Sequence, residues 1–326
     1  MRFISVLLLA AAIGGCSTSP SPMTPATAEE AEVLARELDV RLHNKDVAGD
    51  LFSYDAQVDI AAKTFKVGGP GDWFHRSVAA NSAKKALRAT PVTTALLPYL
   101  QEGHLVELLR VRTTAAGQTS ALFHYFSPTE GLGYLELVVA KIDGVPRFVD
   151  YIPLTTCEPH VASVMAAGMA AGRDRGLLEN NVVSTVMENR STTGFVDGVK
   201  AGRYAEAMLA YDEMPAEMQS QRAMLALRLV AAKKLGEPRL GAAIAALRAQ
   251  TTDPRCNELL AIDAFFEAGN YTAVLNSIDL IDTAVGGDPL LDVLRMGVAR
   301  TTGDVERTKA LAAKFMPRFP SIVVEL

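Results

Sequence analysis

The sequence predicts an α+β N-terminal domain, with helices laid on an antiparallel meander sheet, followed by an all-α domain of helical repeats. Three observations carry that prediction. In the last third a glycine recurs at Gly202, Gly236, Gly269 and Gly303, at spacings of 34, 33 and 34 residues, and each interrupts one apolar helical run before the next begins. Between residues 104 and 153 the pattern changes to four β-rich runs, the last two joined by Asp143-Gly144, a two-residue hairpin turn. Ahead of them, Thr27-Ala28-Glu29-Glu30 forms a capping box and Leu34, Leu38 and Leu42 recur at every fourth position, which predicts a helix over 28–44.

A chain of 326 residues is long enough for two domains, and 49% apolar against 21% charged residues places it among globular proteins. The formal net charge is -5, and no basic stripe is interleaved with aromatics. Nucleic acid is therefore not expected as a partner.

The N-terminus bears on the compartment. Met1-Arg2 supplies a positive start, Phe3 to Ile13 an apolar run of eleven residues, and Ile13-Gly14-Gly15-Cys16 closes it with small residues before a cysteine. The run is well short of the roughly 20 residues that cross a bilayer. This stretch resembles the bacterial lipoprotein signal, in which the cysteine is diacylated on its thiol and becomes the mature N-terminus. The resemblance implies a signal peptide over 1–15 and lipidation at Cys16, hence attachment to a membrane through lipid. Ser17 stands where an aspartate would favour the inner membrane, so the implied location is the outer membrane, facing the periplasm. An ordinary secretory signal with an incidental cysteine is the alternative. Residues 16–27, rich in proline and small polar residues, read as a flexible tether.

The α+β domain is expected over 28–155. A second short helix is predicted around 47–54, a loop at Val67-Gly68-Gly69-Pro70, and a further helix from Asp72 through Leu87. Trp73, the only tryptophan, reads there as a core anchor. The predicted strands are Leu105 to Arg112, Ser120 to Phe126, Gly133 to Ile142 and Pro146 to Pro153. A two-residue turn at Asp143-Gly144 pairs Ile142 with Val145, Val139 with Phe148, Leu137 with Asp150 and Leu135 with Ile152, and on the other face Glu136 with Tyr151. A four-residue loop over 127–130 pairs Phe126 with Gly131 and puts Leu122, His124 and Phe126 on the face of Leu135, Leu137 and Val139. Both faces are then apolar, whereas an antiparallel sheet commonly leaves one in water. The sheet needs cover on both sides.

This order, N-terminal helices wrapped on a curved sheet over 28–155, is similar to the nuclear-transport-factor-2-like, or cystatin-like, fold. The resemblance implies a cone whose pocket can house Asp and His acid-base pairs, and it makes Trp73, His124, Tyr134 and Asp150 the candidate pocket residues. The predicted register, however, offsets His124 from Asp150 by four steps, about 13 Å along the strands. Acid-base partners must meet at about 3 Å. No catalytic residue is therefore expected. Glu136 reads as a structural partner of Tyr151, and Arg110 and Arg112, alternating on one strand, as a solvated face that could also grip an anion.

Residues 156–190, with Pro159 at a helix start and a run of small residues after it, are expected to bridge the halves as helix. The region over 191–326 resembles tetratricopeptide repeats: Gly202, Tyr204 and Ala207 fit the family's turn glycine, aromatic and small positions, Gly269 and Tyr271 fit two of them with Val274 at the third, and the copies at Gly236 and Gly303 are degenerate. The resemblance implies antiparallel helix pairs, with Tyr204, Ala207, Leu209, Tyr271 and Leu275 between helices, and a protein or peptide partner.

Motifs for phosphate loops, zinc proteases, serine-hydrolase elbows, CxxC pairs and EF-hands are absent from the sequence. His43, His75, His104, His124 and His160 fall one to an element, without ligand spacing, so neither a metal nor a cofactor is expected. Lipidation would leave Cys157 and Cys256 as an even pair, for which a disulfide and two separate buried thiols both stay open. Two functions remain: a non-enzymatic, envelope-anchored interaction or scaffold module, and a small-molecule binder or enzyme using the pocket of the α+β domain. Envelope-purified protein is expected to begin at Cys16 and carry acyl mass. An intact-mass spectrum with any other N-terminus removes the anchor.

Overall fold

Thr27 starts the first helix as its capping box requires. In the computed structural model, which describes residues 23–46, 49–53, 55–57, 60, 104–114, 117–127, 131–154, 157, 159, 190–251 and 253–320, the Glu30 N–H donates to Thr27 Oγ1 at 3.2 Å and the Thr27 N–H to Glu30 Oε2 at 2.8 Å. Helix α1, Ala28–His43, turns Ala31, Leu34, Ala35, Leu38 and Leu42 inward as one stripe. The segment ahead of it corrects one expectation. Met23–Pro25, placed in the flexible tether, is strand β1 and pairs with Ile142 to Ala140. Proline is tolerated there because β1 is short and lies at the end of the ladder. Residues 1–22, with Cys16, lie outside the described residues, as do Trp73, the loop at 67–70, the helix expected from Asp72 and nearly all of 156–189.

Strands β2 (Leu105–Thr113), β3 (Thr119–Ser127), β4 (Gly131–Ile142) and β5 (Val145–Pro153) form the antiparallel meander. With β1, which continues the β3 side of β4 past Thr119, the sheet has five strands. Asp143 and Gly144 take φ of 51° and 81°, as a hairpin turn twisted with its strands requires. The turn sets the expected pairs Ile142 with Val145 and Val139 with Phe148.

Beyond that point the register differs. A β-bulge at Val149 adds one residue, so Val138 pairs with Asp150, Leu137 with Tyr151, Glu136 with Ile152 and Leu135 with Pro153. The expected partnership of Glu136 with Tyr151 is not made. At the other turn Ser127 is itself paired, with Gly131, so Phe126 meets Leu132. That slip of one residue moves Leu122, His124 and Phe126 to the second face and brings Ala121 and Phe123 to the first. Leu135, Leu137, Val139 and Phe148 do share one face: with Phe123, Phe52 and the α1 stripe they form the first core.

The second face is covered in two parts: Val138, Ala140 and Ile142 pack with Ala56 and Ile60, and the stretch around Leu122 and Tyr134 packs on the chain's own C-terminal half. That half is a run of helices: α2 (Arg190–Lys200), α3 (Tyr204–Asp212), the short α4 (Ala216–Gln219), α5 (Arg222–Leu235), α6 (Arg239–Gln250), α7 (Pro254–Glu267), α8 (Tyr271–Val285), α9 (Leu291–Thr301) and α10 (Val305–Phe315). The four recurring glycines sit in the turns between α2 and α3, α5 and α6, α7 and α8, and α9 and α10, with φ of 71°, 73°, 70° and 76°. This left-handed backbone, which a β-carbon disfavours, lets a short turn reverse the chain. The repeat interval therefore has a backbone cause.

Each pair packs on the next. Ala231 of α5 joins Phe195, Ala207 and Tyr211, and Ala261 and Ala264 of α7 join Leu225, Leu229 and Leu247. Ile262 of α7, Ile278, Ile281 and Val285 of α8 and Leu291 of α9 then close on Leu122, Tyr134 and Leu154 of the sheet half. Among the described residues no helix is long and apolar enough to cross a membrane.

Tyr204, Ala207, Tyr271 and Leu275 pack between helices as expected, but Leu209 is 63% exposed. The inward stripe of α3 is Tyr204, Ala207, Met208 and Tyr211, at steps of three and four, and Leu209 falls off it. Ala207 is fully buried, and a β-carbon on Gly198 of α2 would lie 2.9 Å from its own. Ala207→Leu is accordingly expected to destabilise the protein by about 1–3 kcal/mol through overpacking. An unchanged melting temperature would show that α2 and α3 do not approach this closely.

Candidate functional site

The polar residues of the sheet's second face meet the helical half along one seam. Its first contact begins with a β-bulge at Leu109: Leu108 pairs with Phe123 but Arg110 with Leu122, so Glu107 and Arg110 share a face although three residues apart. Arg110 Nη2 then donates to the carbonyl oxygens of Gly286, at 2.5 Å, and Gly287, at 3.3 Å. These carbonyls end α8, where orphan acceptors and the negative pole of the helix favour a cation. The anion grip considered for Arg110 is thus engaged by backbone oxygens.

The second contact centres on His124, cross-strand neighbour of Tyr134 and of Glu107. His124 Nδ1 lies 2.9 Å from Asp288 Oδ1, and the Tyr134 hydroxyl donates to Asp288 Oδ2 at 2.8 Å. The Leu290 N–H also donates to Asp288 Oδ1, at 2.8 Å, fixing the carboxylate in the turn between α8 and α9. On the opposite edge of the imidazole, Nε2 faces Glu107 Oε2 at 3.5 Å. The His124 side chain is 2% exposed and that of Asp288 0%.

Burial opposes charge on His124, but the carboxylates of Asp288 and Glu107 outweigh it and raise its pKa above the ordinary histidine value. Burial likewise opposes charge on Asp288, and the histidine, with the Leu290 N–H and the Tyr134 hydroxyl, outweighs it, lowering the carboxyl. Burial and then the charge of Asp288 push the Tyr134 hydroxyl up, so it stays protonated and donates. The arrangement is a buried ion pair with a neutral donor beside it. General acid-base catalysis needs a histidine within reach of substrate. Here both ring nitrogens are turned to carboxylates inside the seam, so the cluster latches the two halves together.

A third contact joins Glu136 to the start of α7. Ser120 Oγ donates to Glu136 Oε1 at 2.5 Å and Arg255 Nη1 to Glu136 Oε2 at 2.7 Å, while Arg255 Nη2 reaches Asp253 at 2.6 Å. Beside it Cys157, just past β5, is bonded to Cys256 of α7, with Cα atoms 5.6 Å apart across 99 residues of chain. Closing a loop near 100 residues constrains the unfolded chain by about 4.7 kcal/mol in the chain-entropy account. A cleft of about 520 Å³ opens here, lined among others by Glu136, Leu154, Arg222, Arg255 and the two cysteines.

Of the candidate pocket residues, His124 and Tyr134 adjoin and share Asp288. Asp150 pairs with Val138, four steps along β4 from Tyr134, about 13 Å away. Its Oδ1 accepts the Tyr151 N–H at 2.8 Å. None of these three lines the cleft. Asp288 and Arg255 were not among the residues expected to matter. The Gly286-Gly287-Asp288-Pro289 stretch, an acidic residue between glycines and a proline at a helix end, is the mark that could have raised Asp288. Among the described residues no group of His, Cys, Asp and Glu could hold a metal ion. Compared with protein-family models, curated proteins and solved structures, the chain finds no match.

The latch has a pH signature. The raised histidine contributes stability that is complete below about pH 6.5 and lost as pH rises through its folded value, and the lowered Asp288 contributes above about pH 4 and loses it as pH falls through its folded value. The pair should thus be strongest between about pH 4 and 6.5. His124→Gln is expected to cost about 3 kcal/mol or more and to flatten the decline in melting temperature above pH 6.5. Parallel wild-type and variant profiles would show that the imidazole is neutral.

Proposed function

We propose that this chain is an envelope lipoprotein, anchored through Cys16, that acts without chemistry of its own as an interaction or scaffold module. In this reading the helix pairs are tetratricopeptide-like and offer a surface to a protein or peptide partner. The sheet half, similar in element order to the nuclear-transport-factor-2-like fold, is the base on which they are mounted.

The observation that carries the reading is the fate of His124. The histidine of the expected pocket is committed to Asp288, away from Asp150, and the face it stands on is closed by α7, α8 and α9. That weakens the reading as an enzyme or small-molecule binder using the pocket of the sheet half, because Tyr134 and Leu122 fill the space with the helices. The outer side of the helices keeps a groove of about 610 Å³ between α6, α7 and α8, lined by Arg248, Phe265, Ala273, Asn276 and Leu280 among others. Leu280 is 48% exposed there. Apolar patches interleaved with polar groups suit a peptide contact, whose affinity rests on a few central anchors.

Crosslinking in intact envelopes, followed by purification of this chain, tests the proposal. A discrete protein adduct is expected, lost with Leu280→Asp or Asn276→Lys while the far-ultraviolet circular dichroism is unchanged. Turnover of a metabolite that disappears with His124→Ala in a folded protein would overturn the reading in favour of an enzyme.

A further inference from the structure

The disulfide at the seam plays no part in that reading, and its two sulfurs are chemically unequal. Cys256 lies in the first turn of α7, after Pro254 and Arg255, and is 5% exposed. A helix N-terminus presents partial positive charge, and two guanidinium groups stand on the same cleft wall: Arg255, and Arg222, whose Nη1 donates to Asn257 and whose Nη2 donates to the Cys256 carbonyl. Two carboxylates line the cleft as well, and both are engaged by Arg255: Asp253 through Nε at 2.9 Å and Nη2 at 2.6 Å, and Glu136 through Nη1 at 2.7 Å. Cys157 follows β5 in a turn, with φ of 52°, and is half-buried. A helix start and a guanidinium bonded to neutral oxygens both favour a thiolate over a thiol, and both adjoin Cys256, so a negative charge is better placed on Cys256 than on Cys157.

The cleft gives a route to the bond. Its volume of about 520 Å³ lies within the range of small-molecule sites, about 300–1,000 Å³, and both cysteines line it. In thiol–disulfide exchange the sulfur that leaves is the one that better bears the charge.

We propose that the Cys157–Cys256 disulfide is a thiol-exchange site, attacked at Cys157 Sγ by a low-molecular-weight thiol that enters the cleft. The incoming thiolate forms a bond to Cys157 Sγ as the bond between the two cysteines breaks, and the electron pair leaves on Cys256 Sγ. Cys157 is left in a mixed disulfide with the incoming sulfur, and Cys256 is left as a thiolate beside Arg222, Arg255 and the start of α7. A second equivalent of the same thiol attacks its own sulfur in the mixed disulfide, releases the Cys157 thiolate and departs as the oxidised dimer. The exchange cuts the covalent link between the end of β5 and α7. The Asp288 latch and the Arg110 contact, made at the C-terminal end of α8, do not depend on that bond.

Glutathione is the probe, applied to the whole folded protein at neutral pH without denaturant. After blocking with N-ethylmaleimide and digestion, the adduct is expected on Cys157 and the maleimide on Cys256, in roughly ten-fold excess over the reverse arrangement. An even split, the reverse assignment, or no exchange until the protein is unfolded overturns the proposal. A second measurement uses Cys157→Ser, in which alkylation of Cys256 should reach half its maximal rate at lower pH in the folded protein than in the same variant in urea. Coincident profiles overturn it too. If that variant does not fold, the adduct map of the wild-type protein decides alone.

Discussion

A sheet with two apolar faces has to be closed on both, and the layout of this molecule follows from that constraint. One face takes α1, whose five inward residues meet Phe123, Leu135, Leu137 and Phe148. The other would leave Leu122, Tyr134 and Leu154 in water without α7, α8 and α9. Burying the eight large side chains named at that seam, at about 1.5–3 kcal/mol each, amounts to roughly 12–24 kcal/mol as an upper figure. A whole domain is stable by only about 5–15 kcal/mol. The helical half is thus part of what allows the sheet to fold, whatever else it does.

The charged contacts at the seam answer a different need. Apolar surfaces slide over one another at little cost, whereas Asp288 satisfies His124 and Tyr134 in one placement only. A buried pair of this kind adds little net stability over a well-packed apolar substitute, yet breaking it by removing one partner costs several kcal/mol. Arg255 on Glu136, Arg110 on the end of α8 and the disulfide fix further points along the same line. Apolar burial supplies the free energy of docking, and the polar contacts fix its register.

What the sequence makes legible divides along the same line. The capping box at Thr27, the turn at Asp143-Gly144 and the glycine interval of the helix pairs are local features, and each appears where the residues place it. The register fails where one residue is added or dropped: the bulge at Val149 and the pairing of Ser127 each reverse the facing of everything beyond them, so His124 was assigned to the wrong side. Leu209 was misplaced because an apolar residue in a short helix gives no phase by itself. The Gly-Gly-Asp-Pro stretch could have raised Asp288 as a residue, but its pairing with His124 was out of reach, since 164 residues separate the two. Packing between distant segments has no local spelling.

The small strand β1 sets a distance. Its first residue, Met23, is seven Cα steps from Cys16, and a fully extended chain covers at most about 25 Å in that many steps. A flexible segment running all the way to Thr27 would have allowed a longer leash. With Met23 locked against Ile142, lipid at Cys16 would hold this corner of the sheet closer to the bilayer surface than the roughly 30 Å thickness of the bilayer's own hydrocarbon core. The corner where β1 meets the Asp143-Gly144 hairpin would then stay near the membrane, and surfaces farther along the helices could reach away from it.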